Sequence, residues 1–282
     1  MWPLVEKSAQ RIGCWARISF SDSWWGSTLF STVLKRPREM VASVSRKGTH
    51  RLCAAVAATL LVQFSATPAD VCEQWDILQG RIRDGTVERA EAMEAMRVLT
   101  RILVETYSPR VPKGGPRFPV KGYTARDIGG RSGSGFQPEG FDFYDGNRHK
   151  GHPAHDIFIK DKDQDCLADD NGRPVEICSF TGGVVVGVNK GWEPTSDIRG
   201  GNYVWIFDPH VERYYYYAHL GDVFAKIGDV VEAGQVIALL GRSGRNASQK
   251  RSPTHLHFMC LSFADGGMTP CNPYPALVES SR

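Results

Sequence analysis

The sequence predicts a mainly β, antiparallel sheet or sandwich domain over residues 117–282, preceded by a short helical segment and linker at 70–116. Two observations predict it. Beyond Phe118-Pro119-Val120, short runs rich in β-branched and aromatic residues alternate with Gly, Asn and Asp turns, as at Gly183–Val188, Tyr203–Phe207, Tyr214–Ala218 and Val236–Leu240. Upstream, Ala92, Met96, Leu99, Ile102 and Leu103 recur at helical spacing, and no comparable helical period occurs after residue 117.

Residues 71–107 read as two helices broken at Asp84-Gly85. Thr86 is a candidate cap for the second, with Glu88 and Glu91 suited to its positive N-terminus. The apolar stripe of that helix must be covered, by the following domain or by a partner helix. Pro109, Pro112 and Pro116, with Gly114 and Gly115, mark the linker.

Residues 1–69 have a different character. Arg46–Arg51 is basic and runs into the apolar stretch Leu52–Phe64, which small residues follow at Ser65–Ala69. That order matches a secretory signal, and the apolar run is too short to span a bilayer. We expect a signal at 40–69, cleaved after Ala69 to leave Asp70 first, with translation starting at Met40. Residues 1–39 carry Trp2, Trp15, Trp24 and Trp25 without a period and read as a mis-annotated extension. The mature product is expected to be exported, to the periplasm or to the extracellular space and cell envelope, without a stable membrane span.

The 34 basic and 31 acidic side chains give a formal charge of +3, too mild to argue for nucleic-acid binding. None of the seven cysteines forms a C-x-x-C pair, which excludes a cysteine-based zinc module or a thioredoxin-like motif. In an oxidising compartment Cys166/Cys178 and Cys260/Cys271 are candidate disulfides by proximity.

Histidine carries the chemical signal. Seven of the eight fall between His149 and His257. On a strand, His255 and His257 share one face while Leu256 and Phe258 enter the core. In the extended segment His152–Asp156, the two end residues also share a face. Two histidines and one carboxylate make the open ligand set of a catalytic zinc, whereas a structural site closes the fourth position. No H-E-x-x-H glutamate is present, so histidine must handle the protons.

In order, His152–Asp156, Tyr217-Ala218-His219-Leu220 and His255-Leu256-His257-Phe258 resemble the signature of the lysostaphin/LytM-type zinc metallopeptidases. Gly172–Val175, Thr181–Val185 and Gly228–Ile237 resemble further pieces of that family, and the likeness covers about 118–275. The resemblance implies a zinc metalloendopeptidase acting on peptidoglycan peptide cross-links. It implies one zinc on His152, Asp156 and His257, with His219 and His255 as catalytic residues beside the open position. It leaves open which of the two takes which role. One departure stands out: Ala154 occupies a position that is usually Gly, and His155 follows it, facing away from Asp156.

Other signals are weaker. Asp161–Asp165 resembles the start of a calcium loop but lacks the required Gly and the twelfth-position Glu, so it reads as a solvated acidic loop. Tyr215 and Tyr217 alternate onto the face expected for His219 and are candidates for a substrate groove. His210 follows Asp208-Pro209 on a turn and takes no role. The alternatives to an active peptidase are a catalytically silent relative that regulates other wall hydrolases, and a carrier domain of related architecture.

Overall fold

The computed structural model describes residues 68–264 and 267–282. The expected extension and nearly all of the expected signal lie outside the described residues; Pro68 and Ala69 open the first helix. Helices α1 (Pro68–Arg83) and α2 (Arg89–Tyr107) form a hairpin. Eleven strands follow: β1 (Ala154–Phe158), β2 (Leu167–Ala168), β3 (Arg173–Pro174), β4 (Glu176–Cys178), β5 (Gly183–Asn189), β6 (Asn202–Asp208), β7 (Arg213–Val223), β8 (Val230–Val231), β9 (Val236–Leu240), β10 (His255–Ala264) and β11 (Gly267–Pro270). Helix α3 (Tyr274–Ser280) ends the chain; its seven residues and early Pro275 leave no readable period.

The helical stripe folds as its spacing demands. Ala92, Met96, Leu99 and Leu103 are buried, and α1 turns its own Val71, Trp75, Leu78 and Ile82 to the same core. Gly85, at φ 67°, ends α1 in the left-handed region. Thr86 does not cap α2. Its hydroxyl donates to the Arg81 carbonyl and closes the last turn of α1, while Glu88 precedes α2 without a side-chain cap.

Among the described residues all strand pairings are antiparallel. The main path runs β1-β10-β7-β6-β5-β8, with β11 on β10, β9 on β7 and β4 on β9. Each face of this sheet covers its own apolar core. On one face the hairpin packs over Val184, Val186, Tyr203, Trp205, Phe207 and Tyr214. Trp75 anchors it, stacked 5.2 Å from Tyr214 and edge-on at 5.5 Å to Trp205. The α2 stripe is therefore covered both by α1 and by the sheet. The other face buries Val185, Val204, Ile206, Tyr215, Tyr217, Leu256 and Phe258.

This division overturns the groove expected of Tyr215 and Tyr217. Both are buried, and Tyr217 turns into the core, where its Oη accepts the Phe180 amide at 2.8 Å. Alternation instead puts Tyr214, Tyr216 and Ala218 on the hairpin face. The register breaks next: Tyr203 pairs with Ala218 but Asn202 with Leu220, so His219 is an extra residue, at φ 65°. The bulge turns His219 to the face that strict alternation denies it.

Cys260 and Cys271 form a disulfide across the β10–β11 end of the sheet. Cys166 and Cys178 do not: Cys178 is a buried thiol at the end of β4, and Cys166 lies in the loop before β2 at φ 70°. In that loop Asp161 is buried rather than solvated. It accepts the amides of Asp165 and Cys166 and the Thr254 hydroxyl, so it ties the loop to β10. Asp163 and Asp169 stay exposed.

Candidate metal centre

The four residues singled out by spacing, and His219, which the resemblance added, come together on the hairpin face of the sheet, beyond the part that the helices cover. Pairing of β1 with β10 sets Asp156 directly opposite His257 and Phe158 opposite His255. His152 precedes β1 and is fixed by an antiparallel bridge to Gln137. Ala154 pairs with Met259 in ordinary strand geometry, so its Cβ disturbs nothing at the site. His155 faces away, fully buried, with Nε2 on Asn272 Oδ1 at 2.9 Å.

Three candidate ligand atoms form a near-regular triangle. His152 Nε2 lies 3.2 Å from His257 Nδ1 and 3.2 Å from Asp156 Oδ1, and His257 Nδ1 lies 3.1 Å from Asp156 Oδ1. Ligands ~2.0–2.1 Å from a tetrahedral zinc sit about 3.3 Å from one another, so the triangle fits such an ion. The tautomer fits too. His152 Nδ1 donates to the Gly135 carbonyl at 2.9 Å, which leaves the Nε2 lone pair for a metal.

His219 and His255 stand beside the triangle, their rings 5.0 Å apart and His219 5.8 Å from His257. His219 Nδ1 donates to Ser243 O at 2.9 Å and His255 Nδ1 to Pro253 O at 2.7 Å. Each thereby keeps Nε2 for other work. His255 Nε2 lies 3.8 Å from Asp156 Oδ1.

Burial and charge polarise the group. Burial raises the Asp156 carboxyl, but hydrogen bonds from His152 and His257 and the charges around it outweigh that and hold it well below the carboxylate range. The Asp156 bond raises His152. Burial depresses His257 against the pull of Asp156. Burial, with repulsion from His255 and His257, pushes His219 down to about 3, so it is neutral at physiological pH.

The site opens into a cavity of ≈ 350 Å³. Two of its lining residues were illegible as such. Tyr216 takes the place expected of Tyr215 and Tyr217, its ring 6.2 Å from His257. His149 sits on the rim, edge-on to Phe141 at 4.8 Å. Its position in the histidine cluster was the available signal. His210 is remote and ties the linker down through Val111 O at 3.0 Å. The Gly241–Lys250 loop reaches the site through Gly244, at φ 101°, where a Cβ would stand 2.5 Å from Arg199 O and 2.9 Å from His219 Nδ1.

Residues 166–272 match the model of Peptidase family M23, a stretch that holds His219, His255 and His257 and begins after His152 and Asp156. The chain thus carries an M23 peptidase domain, as its likeness to the lysostaphin/LytM-type enzymes implied. No curated protein matches it. Among solved structures, a zinc-containing peptidase from Vibrio cholerae is 27% identical, covering 57% of this chain and 40% of its own, with a TM-score of 0.37. Lysostaphin from Staphylococcus simulans is 26% identical over 46% of this chain and 45% of its own, with a TM-score of 0.33. A putative glycyl-glycine endopeptidase LytM from Ruminococcus gnavus is 23% identical over 77% and 88%, with a TM-score of 0.40. The chain spans less than half the length of the first two.

Proposed function

We propose that this protein is an exported zinc metalloendopeptidase that hydrolyses the peptide cross-links of bacterial peptidoglycan. The observation that carries the reading is the triangle of His152, Asp156 and His257, flanked by two histidines with unengaged Nε2 atoms in one open cavity. The M23 match supports the reaction class, and the basic–apolar–small order before Asp70 supports export. Among the described residues no helix is long and apolar enough to cross a membrane.

Zinc held by His152, Asp156 and His257 would acidify a water towards pKa ~7 and polarise the scissile carbonyl. Asp156, fully ionised, offsets the positive charge and holds His152 and His257 in place. His219, neutral because of its burial, offers Nε2 as a proton acceptor. His255, fixed by Pro253 O, offers its Nε2 on the same side to bond the developing oxyanion and to pass a proton to the leaving amine.

Metal analysis of the purified full-length protein, followed by digestion of purified peptidoglycan with mass analysis of the products, tests this. One zinc per chain and newly freed peptide amines are expected. Stoichiometric zinc with an undigested wall would mark a silent, regulatory relative, and absence of zinc would refute the centre.

A further inference from the structure

Helix α1 closes one side of the cavity with Gln79, Ile82 and Arg83. The support of the candidate ligand His152 comes from elsewhere, from the other face of β1 and the loop 129–137 that crosses it. That loop is pinned at both ends to the segment carrying the ligands. Gly129 N donates to Asp156 O at 2.8 Å, and Gln137 N to His152 O at 2.8 Å. Between the pins the loop closes over His155. A Cβ on Gly135 would stand 3.8 Å from His155 Nδ1 and 2.9 Å from Gly129 O, and the Phe136 ring stacks 6.0 Å from the imidazole. Gly135 is also the residue whose carbonyl accepts His152 Nδ1.

His155 is held in turn. Asn272 Oδ1 accepts the Tyr274 amide at 3.0 Å, which identifies that atom as the oxygen. His155 Nε2, 2.9 Å from the same oxygen, therefore carries the proton and donates it. Nδ1 is left buried, with no hydrogen bond among the described residues. An unpaired buried acceptor weakens a fold, so a purely apolar side chain would pack this position at less cost than imidazole does. What imidazole adds is the bond to Asn272. That partner is a fixed post. It follows Cys271, which the disulfide and the bond from Cys271 N to Cys260 O, at 2.9 Å, join to β10. It also precedes α3, whose Tyr274 ring lies 5.4 Å from His155. The same ring packs on the loop at Gly133, where a Cβ would stand 2.8 Å from it at φ 82°. His155 thus stands between the loop and a post tied to the strand that carries His255 and His257.

We infer that His155 is a positioning residue. Its bond to Asn272 fixes the imidazole as the platform on which loop 129–137 closes, and so holds the Gly135 carbonyl that orients His152 towards the metal. The inference rests on the zinc reading of the centre, and it adds a residue that the M23 match does not reach. A ligating histidine whose second nitrogen loses its partner binds metal less tightly.

The test compares His155→Leu and His155→Gln in the full-length protein. Gln keeps an N–H donor at about the reach of Nε2, and Leu keeps only bulk. Zinc affinity, read by competition with a chromogenic chelator, should fall about 10- to 100-fold in His155→Leu and be largely restored in His155→Gln. Cobalt(II) in place of zinc should show visible bands that move in the Leu variant and return in the Gln variant. Where His155→Leu fails to fold, Asn272→Leu, which removes the acceptor, and Asn272→Asp, which keeps it, replace the pair with the same forecast. Unchanged zinc affinity and cobalt bands in the Leu variant would refute the positioning role and leave the zinc centre standing. A loss that Gln does not restore would reduce the role to volume and also overturn the inference. If the wild type takes up neither ion, the zinc reading falls, and amide exchange at Gln137 and His152 in the metal-free protein decides. Faster exchange in His155→Leu, reversed in His155→Gln, upholds the brace; equal exchange in all three refutes it.

Discussion

Asp76 offers a sharp test of how the hairpin is held on the sheet. It sits at the α1–β5 contact, where Oδ1 accepts the Val188 amide at 3.3 Å. Burial raises its carboxyl from 3.8 to about 6, against the Val188 N–H and the Arg83 charge. The folded pKa is thus above the unfolded one, and the native state holds an extra proton between them. Stability is fully present below the unfolded value, falls as pH rises, and is flat above about 6. Two pKa units at about 1.4 kcal/mol each give an upper bound near 3 kcal/mol, which solvent screening of a part-exposed group reduces to ~1–2. Asp76→Asn keeps the acceptor for Val188 and removes the charge. At pH 7.5 the melting temperature should rise by about 2–8 °C, since 1 kcal/mol moves a domain of this size by ~2–4 °C. At pH 4.5, where only about a third of the penalty has developed, the gain should shrink to about a third. Calorimetry of wild type and variant at both pH values measures it. A gain no larger at pH 7.5 than at 4.5, or a loss at both, would refute the reasoning.

The remaining predictions concern the candidate metal centre and the mature N-terminus. Replacing His152, Asp156 or His257 with Ala should cost stoichiometric zinc, read by elemental analysis; a zinc-replete His257→Ala protein would show that the triangle is not the ligand set. His219→Ala and His255→Ala should keep one zinc and lose about 100- to 10,000-fold in peptide hydrolysis. Loss of zinc in either would make that histidine a ligand. Gly244→Ala forces a Cβ against Arg199 O and the His219 ring at a left-handed position, costing about 1–3 kcal/mol. Hydrolysis should fall more than zinc content, and unchanged kinetics would exclude Gly244 as the support of His219. N-terminal sequencing of exported protein should find Asp70 first; a product retaining Trp24 and Trp25 would sink the proposed start.

The sequence made the sheet and the histidines legible because both rest on local spacing. The H-x-H of β10 and the i, i+4 pair His152/Asp156 point the same way whatever lies around them, and Leu256 and Phe258 had to enter the core. The tyrosines of β7 misled for the same reason. Alternation was counted back from His219, and an inserted residue at that very point inverted the count. The Cys166/Cys178 pairing failed because nearness in sequence says little when one partner is in a strand core and the other in a loop. The contribution of α1 to the cavity was illegible because it depends on packing between segments more than a hundred residues apart, as in the bond from Arg83 to Tyr203.

The extra residue at His219 also bears on how this sheet tolerates change. Upstream of it, strand β7 keeps Tyr214 and Tyr216 on the side of the helices and Tyr215 and Tyr217 on the other; downstream, Leu220 returns to the second core. The strand therefore carries two reading frames joined at one position. Deleting any one of Tyr214–Tyr217 would remove a tyrosine and turn the residues on one side of the gap to the opposite face, while deleting His219 itself would leave both pairs in place and extend the frame unbroken into Leu220. A shortened strand of the second kind would still fold, with a regular ladder and one imidazole fewer. Length variation at this point is thus a one-step route from the proposed peptidase to a sheet of the same frame without that imidazole.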